Sequence, residues 1–344
     1  MSLSRRRFLR TAGVGALSVP LITQKSFAQP VPVAATKKPK RLGVGSVVGL
    51  ITPASQVSSS DVNEVASKLR SMGLKVKFGK HVLDQYGYLG GQDHDRAADV
   101  NNMFADPDVD AILAVRGGWG CTRLFSFLDF DLIQQNPKII MGYSDITSLL
   151  IAIYTRSNMV TFHGPVGTAT WNSYTKHYVN DILFEGNRSV FSNQIPVTTS
   201  PTRVKTIRSG MAEGILLGGN LSVLSGMLGS PYVPSDWSDK ILYLEDVDED
   251  IYRVDRMLTH LKIAGVLSQV RGIVFGDCRS CNPNQSPALS LNDVLWDHLS
   301  ILGVPAWYGS MIGHISNKFT VPNGVRARID SVAGTIEMLE PAVL

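Results

Sequence analysis

The chain has 344 residues, 44% apolar and 18% charged, enough to bury a sizeable core and long for a single domain, so two domains are expected. Its formal charge is +4, yet five of its 33 basic residues (Arg5, Arg6, Arg7, Arg10 and Lys25) lie in the first 28 positions, which hold no acid; the rest carries 28 basic against 29 acidic residues, or −1. A body so near neutrality lacks the electrostatic footprint of a nucleic-acid partner.

The leader comes first. Ser4-Arg5-Arg6-Arg7-Phe8-Leu9-Arg10, a mildly apolar run over 12–22 and Ser26-Phe27-Ala28 read as a twin-arginine-type export signal over 1–28, cleaved after Ala28. The apolar run is about half the roughly 20 residues a bilayer span needs, so no stable membrane anchor is expected. Residues 29–41, rich in Pro and Lys, read as a flexible lead-in, and the mature protein is expected in the periplasm.

From Leu42 short apolar β-rich runs alternate with amphipathic stretches, the rhythm of a parallel sheet with crossover helices. Strands are predicted over 47–52, 74–78, 111–115, 138–142 and 159–162. Helices are predicted over 61–72 (with Val62, Val65, Ala66 and Leu69 on one face), 93–104 and 146–154. These make an N-terminal open α/β domain over 42–166. Residues 167–210 lose the rhythm and read as a connecting segment. A C-terminal mixed α/β domain over 211–344 follows: a strand over 211–217, a Gly218-Gly219-Asn220 turn, a helix to 228, a strand over 241–244, a helix over 250–264, a strand over 272–275, a helix over 291–301 and β segments from 305 onward.

Four places in this order carry possible chemistry. Ala114-Val115-Arg116-Gly117-Gly118-Trp119-Gly120 is a glycine-rich turn at a strand end, where loops of an open α/β sheet converge on the binding crevice. It fits neither the Walker nor the dinucleotide spacing. Met141-Gly142-Tyr143-Ser144-Asp145-Ile146 runs from a buried-type strand into a helix, which would expose the Ser144 hydroxyl beside a helix N-terminus. Ile146 stands where G-x-S-x-G has its second glycine, so taken alone the serine reads as a helix cap before it reads as a nucleophile. Glu245 ends an apolar strand, and Asp248 to Asp250 lead into the next helix. His314, in a turn between β segments, is a candidate general base. Of the other histidines, His260 and His298 fall in helices, while His163 lies at a strand end and stays in competition. Ser173-Tyr174-Thr175-Lys176 satisfies the S-x-x-K of penicillin-binding enzymes, but K-T-G is missing, Lys205-Thr206-Ile207 coming nearest. Cys121, Cys278 and Cys281 are an odd set; Cys278 and Cys281 read as an incidental loop pair, a local disulfide being the second choice and a metal site lacking its remaining ligands.

Taken together, Arg-Gly-Gly-Trp-Gly at 116–120, Gly-Tyr-Ser-Asp-Ile-Thr at 142–147, His-Gly-Pro at 163–165, Leu-Glu-Asp-Val at 244–247, Asp-Arg-Met-Leu-Thr-His-Leu at 255–261 and Gly-His at 313–314 with Thr320, Pro322 and Gly324 resemble the LD-carboxypeptidase family. That family includes murein tetrapeptide carboxypeptidases and microcin C immunity hydrolases, and the likeness spans about 42–337. The resemblance implies a two-domain α/β fold with the site between the domains, Ser144 as nucleophile, His314 as general base and acid, and Glu245 orienting the imidazole. It implies oxyanion donors at Asp145 and, beside Gly117, at Gly118; the terminal carboxylate of such a substrate needs a cationic or N–H-rich pocket, for which Arg116 and Lys318 are candidates. It also implies no metal or cofactor, a peptidoglycan tetrapeptide or muropeptide substrate losing its terminal D-alanine, and a homodimer. Two features depart from the family: its recycling members lack a leader, and Trp119 stands where tyrosine is usual. A muropeptide-binding protein without catalysis and a hydrolase of peptide-nucleotide conjugates are the alternatives.

Overall fold

Helix α1 (Ser59–Ser71) begins where Ser58 and Asp61 cap each other's backbone N–H groups, and it buries Val62, Val65, Ala66 and Leu69, the face its 3.6-residue spacing selects. It connects the parallel strands β1 (Val47–Ile51) and β2 (Lys75–Phe78). The computed structural model describes residues 35–193, 204–284 and 286–344. The export signal at 1–28 and most of the lead-in lie outside the described residues, as do 194–203 of the connecting segment.

Among the described residues two sheets carry the fold. The first adds α2 (Asp93–Ala105), β3 (Ala111–Ala114), the short α3 (Phe130–Gln135), β4 (Ile139–Gly142), α4 (Ile146–Ser157) and β5 (Thr161–His163). Its strand order is β2-β1-β3-β4-β5, all parallel, so the order reverses between β1 and β3 and opens a crevice at their carboxyl ends. β3 and β4 are buried at every position, as strands covered on both faces must be.

The 167–210 stretch holds more structure than its loss of rhythm suggests. Asn172 accepts the Thr175 N–H and starts α5 (Ser173–Leu183), whose Tyr178, Val179, Ile182 and Leu183 are buried; β6 (Val190–Ser192) and β7 (Lys205–Arg208) follow. Polar residues interleaved with aromatics hid an amphipathic helix there. Ser173 and Lys176 lie exposed on α5.

The second sheet takes β8 (Met211–Asn220), β9 (Lys240–Val247), β10 (Gly272–Arg279) and β11 (Ala306–Tyr308) as a parallel centre, linked by α6 (Leu221–Met227), α7 (Ile251–Ile263) and α8 (Leu291–Leu299). β7 flanks β11, and β13 (Arg326–Asp330), β14 (Thr335–Met338) and β6 extend the other edge antiparallel. The intervening β12 (Val321–Asn323) crosses to the first sheet and pairs antiparallel with β5. The Gly218-Gly219-Asn220 sequence is not a turn: β8 continues through it, in register with Tyr243, Leu244 and Glu245. Glycine is required there because a side chain at 218 would overlap the Tyr243 carbonyl. Cys278 and Cys281 are joined by a disulfide, where an incidental pair was expected.

Helix α4 has no polar face because it is enclosed. It packs on β4 and β5 of its own sheet and on β8 and α6 beyond it, burying Ile146, Leu149, Leu150, Ile151, Ala152 and Ile153. Specific bonds tie the two sheets. Asn323 on β12 accepts the Gly218 N–H at 3.0 Å and the Tyr243 hydroxyl at 2.8 Å, and the Asn220 N–H donates to Thr147 Oγ1 at 3.0 Å. Residues 36–344 form one compact unit. The carboxyl ends of β4, β8 and β9 therefore face a common region.

Candidate active site

Ser144 is the middle residue of Tyr143-Ser144-Asp145, which join β4 to α4, and has φ of 63°. A non-glycine residue in the left-handed region is strained, and strand-to-helix elbows hold such strain where a side chain must be presented. The elbow is braced from its far side. Asp145 is buried, and its Oδ2 accepts the Cys121 N–H at 2.8 Å, tying the glycine-rich turn to the start of α4. Gly117 backs directly onto the serine: a methyl group there would come within 2.8 Å of Ser144 Cβ and 3.1 Å of its Oγ. Gly118 has φ of 125°, and a side chain on it would collide with the Ser55 hydroxyl, so only glycine fits. Among the described residues the backbone N–H groups of Asp145 and Gly118 have no hydrogen-bond partner. Arg116 points outward and is exposed, with Asp61 its electrostatic neighbour.

Glu245 lies in the buried part of β9, opposite Asn220 in the sheet register, and is fully buried. Its Oε2 accepts from His314 Nδ1 at 2.8 Å and its Oε1 from Asn220 Nδ2 at 3.2 Å, so both oxygens are used. Burial is the strongest influence on this carboxyl and opposes ionisation. The neighbouring imidazoles of His314 and His163 and the donated hydrogen bonds outweigh it and hold the group below its ordinary value. With Nδ1 donating to an ionised carboxylate, His314 keeps Nε2 as its basic nitrogen. The His314 ring packs edge-on against Tyr143, centroids 4.6 Å apart. Tyr143 immediately precedes Ser144; among the described residues no hydrogen bond joins the Ser144 hydroxyl to the imidazole.

Asn220 was read only as part of a turn, and it is the residue sequence reasoning missed. Its amide also donates to Asp246 Oδ1 at 3.0 Å, its Oδ1 caps α6 at Val223, and its N–H meets Thr147, three residues after the serine. One side chain thus spans the acid and the helix that follows Ser144. A buried Asn beside two strand-end acids was the available signal. Asp246, next to Glu245, is pushed up to about 7 by burial and by its neighbour's charge, against hydrogen bonds from Val247, Asn220 and Ser222.

The competing histidines have other places. His163 is buried on β5 between Tyr143 and Tyr243, both ring nitrogens lacking a partner among the described residues. Burial pulls it down to about 4, so it is neutral at pH 7. His260 meets Ser225 and His298 meets Asp255, ties between helices. Trp119 is exposed and packs edge-on against Tyr88.

A half-buried serine on a strand-to-helix elbow, an imidazole fixed on a buried carboxylate and, among the described residues, two unpartnered backbone N–H groups make up a serine hydrolase site. Residues 48–164 match the LD-carboxypeptidase N-terminal domain and residues 213–329 the LD-carboxypeptidase C-terminal domain. A probable murein peptide carboxypeptidase of Bacillus subtilis (strain 168) is 40% identical over 304 residues, covering 87% of this chain and 93% of its own. The solved structure of MccF in complex with glutamyl sulfamoyl guanosine superimposes with a TM-score of 0.80 at 26% identity, over 89% of this chain and 99% of MccF. That of a muramoyltetrapeptide carboxypeptidase from Oxalobacter formigenes does so at 0.72 and 28%, over 85% and 98%. The chain belongs to the LD-carboxypeptidase family and is a serine-type carboxypeptidase with that family's two-domain α/β fold.

Proposed function

We propose that the protein removes the terminal D-alanine of peptidoglycan tetrapeptides or muropeptides through Ser144, His314 and Glu245. The observation that carries this reading is the 2.8 Å bond from His314 Nδ1 to Glu245 Oε2, with the His314 ring packed on Tyr143 of the elbow that carries Ser144. The resemblance to murein peptide carboxypeptidases supports the substrate. A serine hydroxyl attacks poorly at neutral pH, so His314 Nε2 takes its proton as Oγ bonds to the scissile carbonyl carbon. Glu245 stabilises the imidazolium. The carbonyl oxygen, now negative, accepts from the N–H groups of Asp145 and Gly118, and loss of one such donor costs about 3 kcal/mol in the transition state. His314 then protonates the departing amine, and water, activated by the same imidazole, releases the tripeptide from Ser144.

The same proposal includes export and a homodimer. The paired arginines and mild apolar run of 1–28 support a twin-arginine signal and a periplasmic enzyme, and the Cys278–Cys281 disulfide suits an oxidising compartment. The likeness to MccF keeps a peptide-nucleotide conjugate as the second reading. The test is to incubate the protein lacking residues 1–28 with a defined tetrapeptide and assay free D-alanine. Release by the wild type and its loss in Ser144→Ala support the proposal. Binding of tetrapeptide without release would leave a muropeptide-binding protein.

A further inference from the structure

Among the described residues Lys318 is a cation without a counter-charge bonded to it. Only 4% of it is exposed, yet among the described residues its Nζ has no hydrogen bond and no ion pair; it lies 5.6 Å from the centre of the Tyr143 ring, and its own N–H reaches Thr175 Oγ1. A ring contact returns less than an ammonium loses on leaving water, so a buried lysine in this state awaits an anion. Burial, and then the charge of Arg279, pull it down to about 8, against the attraction of Glu245.

Arg279 is the second cation in this neighbourhood. One of its guanidinium nitrogens, Nη1, donates to the His314 carbonyl at 3.0 Å, and among the described residues it has no carboxylate partner. Glu245 cannot serve either group, since both its oxygens are taken by His314 and Asn220. Asp246 is engaged by Asn220 and Ser222. The buried Lys318 and the exposed Arg279 thus both lie near His314, and among the described residues neither has a carboxylate partner.

We propose that Lys318, assisted by Arg279, binds the free α-carboxylate of the substrate's last residue and so restricts cleavage to the terminal peptide bond. The inference rests on Ser144 being the nucleophile of a carboxypeptidase. Its geometry follows from chain dimensions: the terminal carboxyl carbon lies one residue beyond the scissile carbonyl, about 3.8 Å along the backbone. A cation that recognises it must stand beside the nucleophile, and Lys318 packs on the residue immediately before Ser144. Arg116, the other candidate from sequence, is exposed and faces Asp61.

The test uses L-Ala-γ-D-Glu-L-Lys-D-Ala with a free C-terminus and the same peptide as its C-terminal amide, with lysine as the diamino residue so that no side-chain carboxylate at that position can substitute. Lys318→Met is expected to lower kcat/KM for the acid at least 100-fold while leaving the slow cleavage of the amide within about threefold, so that discrimination between them collapses. Lys318→Arg should recover part of it, and Arg279→Gln, at an exposed position that leaves Lys318 in place, should lose a smaller part. Equal losses on acid and amide would assign Lys318 a packing role and overturn the inference while leaving the carboxypeptidase reading intact. A wild type that cleaves neither peptide would overturn both.

Discussion

His163 offers a direct test of the buried electrostatics at this site. Its imidazole titrates at about 4 in the folded protein against 6.5 in an open chain, because the interior between Tyr143 and Tyr243 does not solvate a charge. Above pH 6.5 the ring is neutral in both states and has no effect on the pH dependence. As pH falls below 6.5 the unfolded chain binds a proton that the folded protein refuses, so stability declines until the folded group titrates near 4. A shift of that size corresponds to ~3 kcal/mol lost between pH 7.5 and 4. His163→Phe fills a similar volume and cannot be protonated, which removes this slope and leaves the other groups in place. Urea unfolding of both proteins at intervals between pH 7.5 and 4 provides the assay: the variant should gain on the wild type by ~3 kcal/mol across that range. A difference that stays constant with pH would refute the claim that His163 is kept neutral by burial, and would reopen it as a rival base to His314.

Asn220→Leu should lower stability by about 2 kcal/mol in urea unfolding, since Glu245 Oε1 and Asp246 Oδ1 lose a donor in a buried setting. In turnover assays it should lower kcat with little change in KM, because the displaced group positions the acid and does not touch substrate. Thiol titration should find no reactive cysteine in the native protein, where Cys121 is buried, and one per chain in denaturant without reductant. Three reactive thiols under those conditions would exclude the disulfide.

The first sheet is legible because its central strands β1, β3 and β4 are apolar runs, with helices between the strands whose buried faces recur at 3.6-residue spacing. The helix at 61–72 and the passage from β4 through Ser144 into α4 are examples. What composition hid was the continuation of β8 through two glycines, since glycine signals a turn unless the sheet needs close approach, as Gly218 does against Tyr243. Helix α5 escapes a sequence reading because its first turns, Ser173 to His177, are polar or aromatic and its aliphatic buried residues, Val179, Ile182 and Leu183, come only near its end. Glu245 and His314 were selected by resemblance, each being locally indistinguishable from a capping acid or a turn histidine. Their juxtaposition depends on the register of β9 and the turn after β11, which no local pattern encodes. Asn220 and Lys318 matter through what surrounds them in space, 25 residues from Glu245 in one case and beside Tyr143 in the other.

The decisive measurement is the covalent state of Ser144 during turnover. Mixing the protein with tetrapeptide, quenching in acid within milliseconds to seconds and mapping the digest by mass spectrometry should find the tripeptide acyl group on the peptide containing Ser144, and none in Ser144→Ala. Undiminished D-alanine release by Ser144→Ala, or an acyl group carried on another residue, would contradict the assignment.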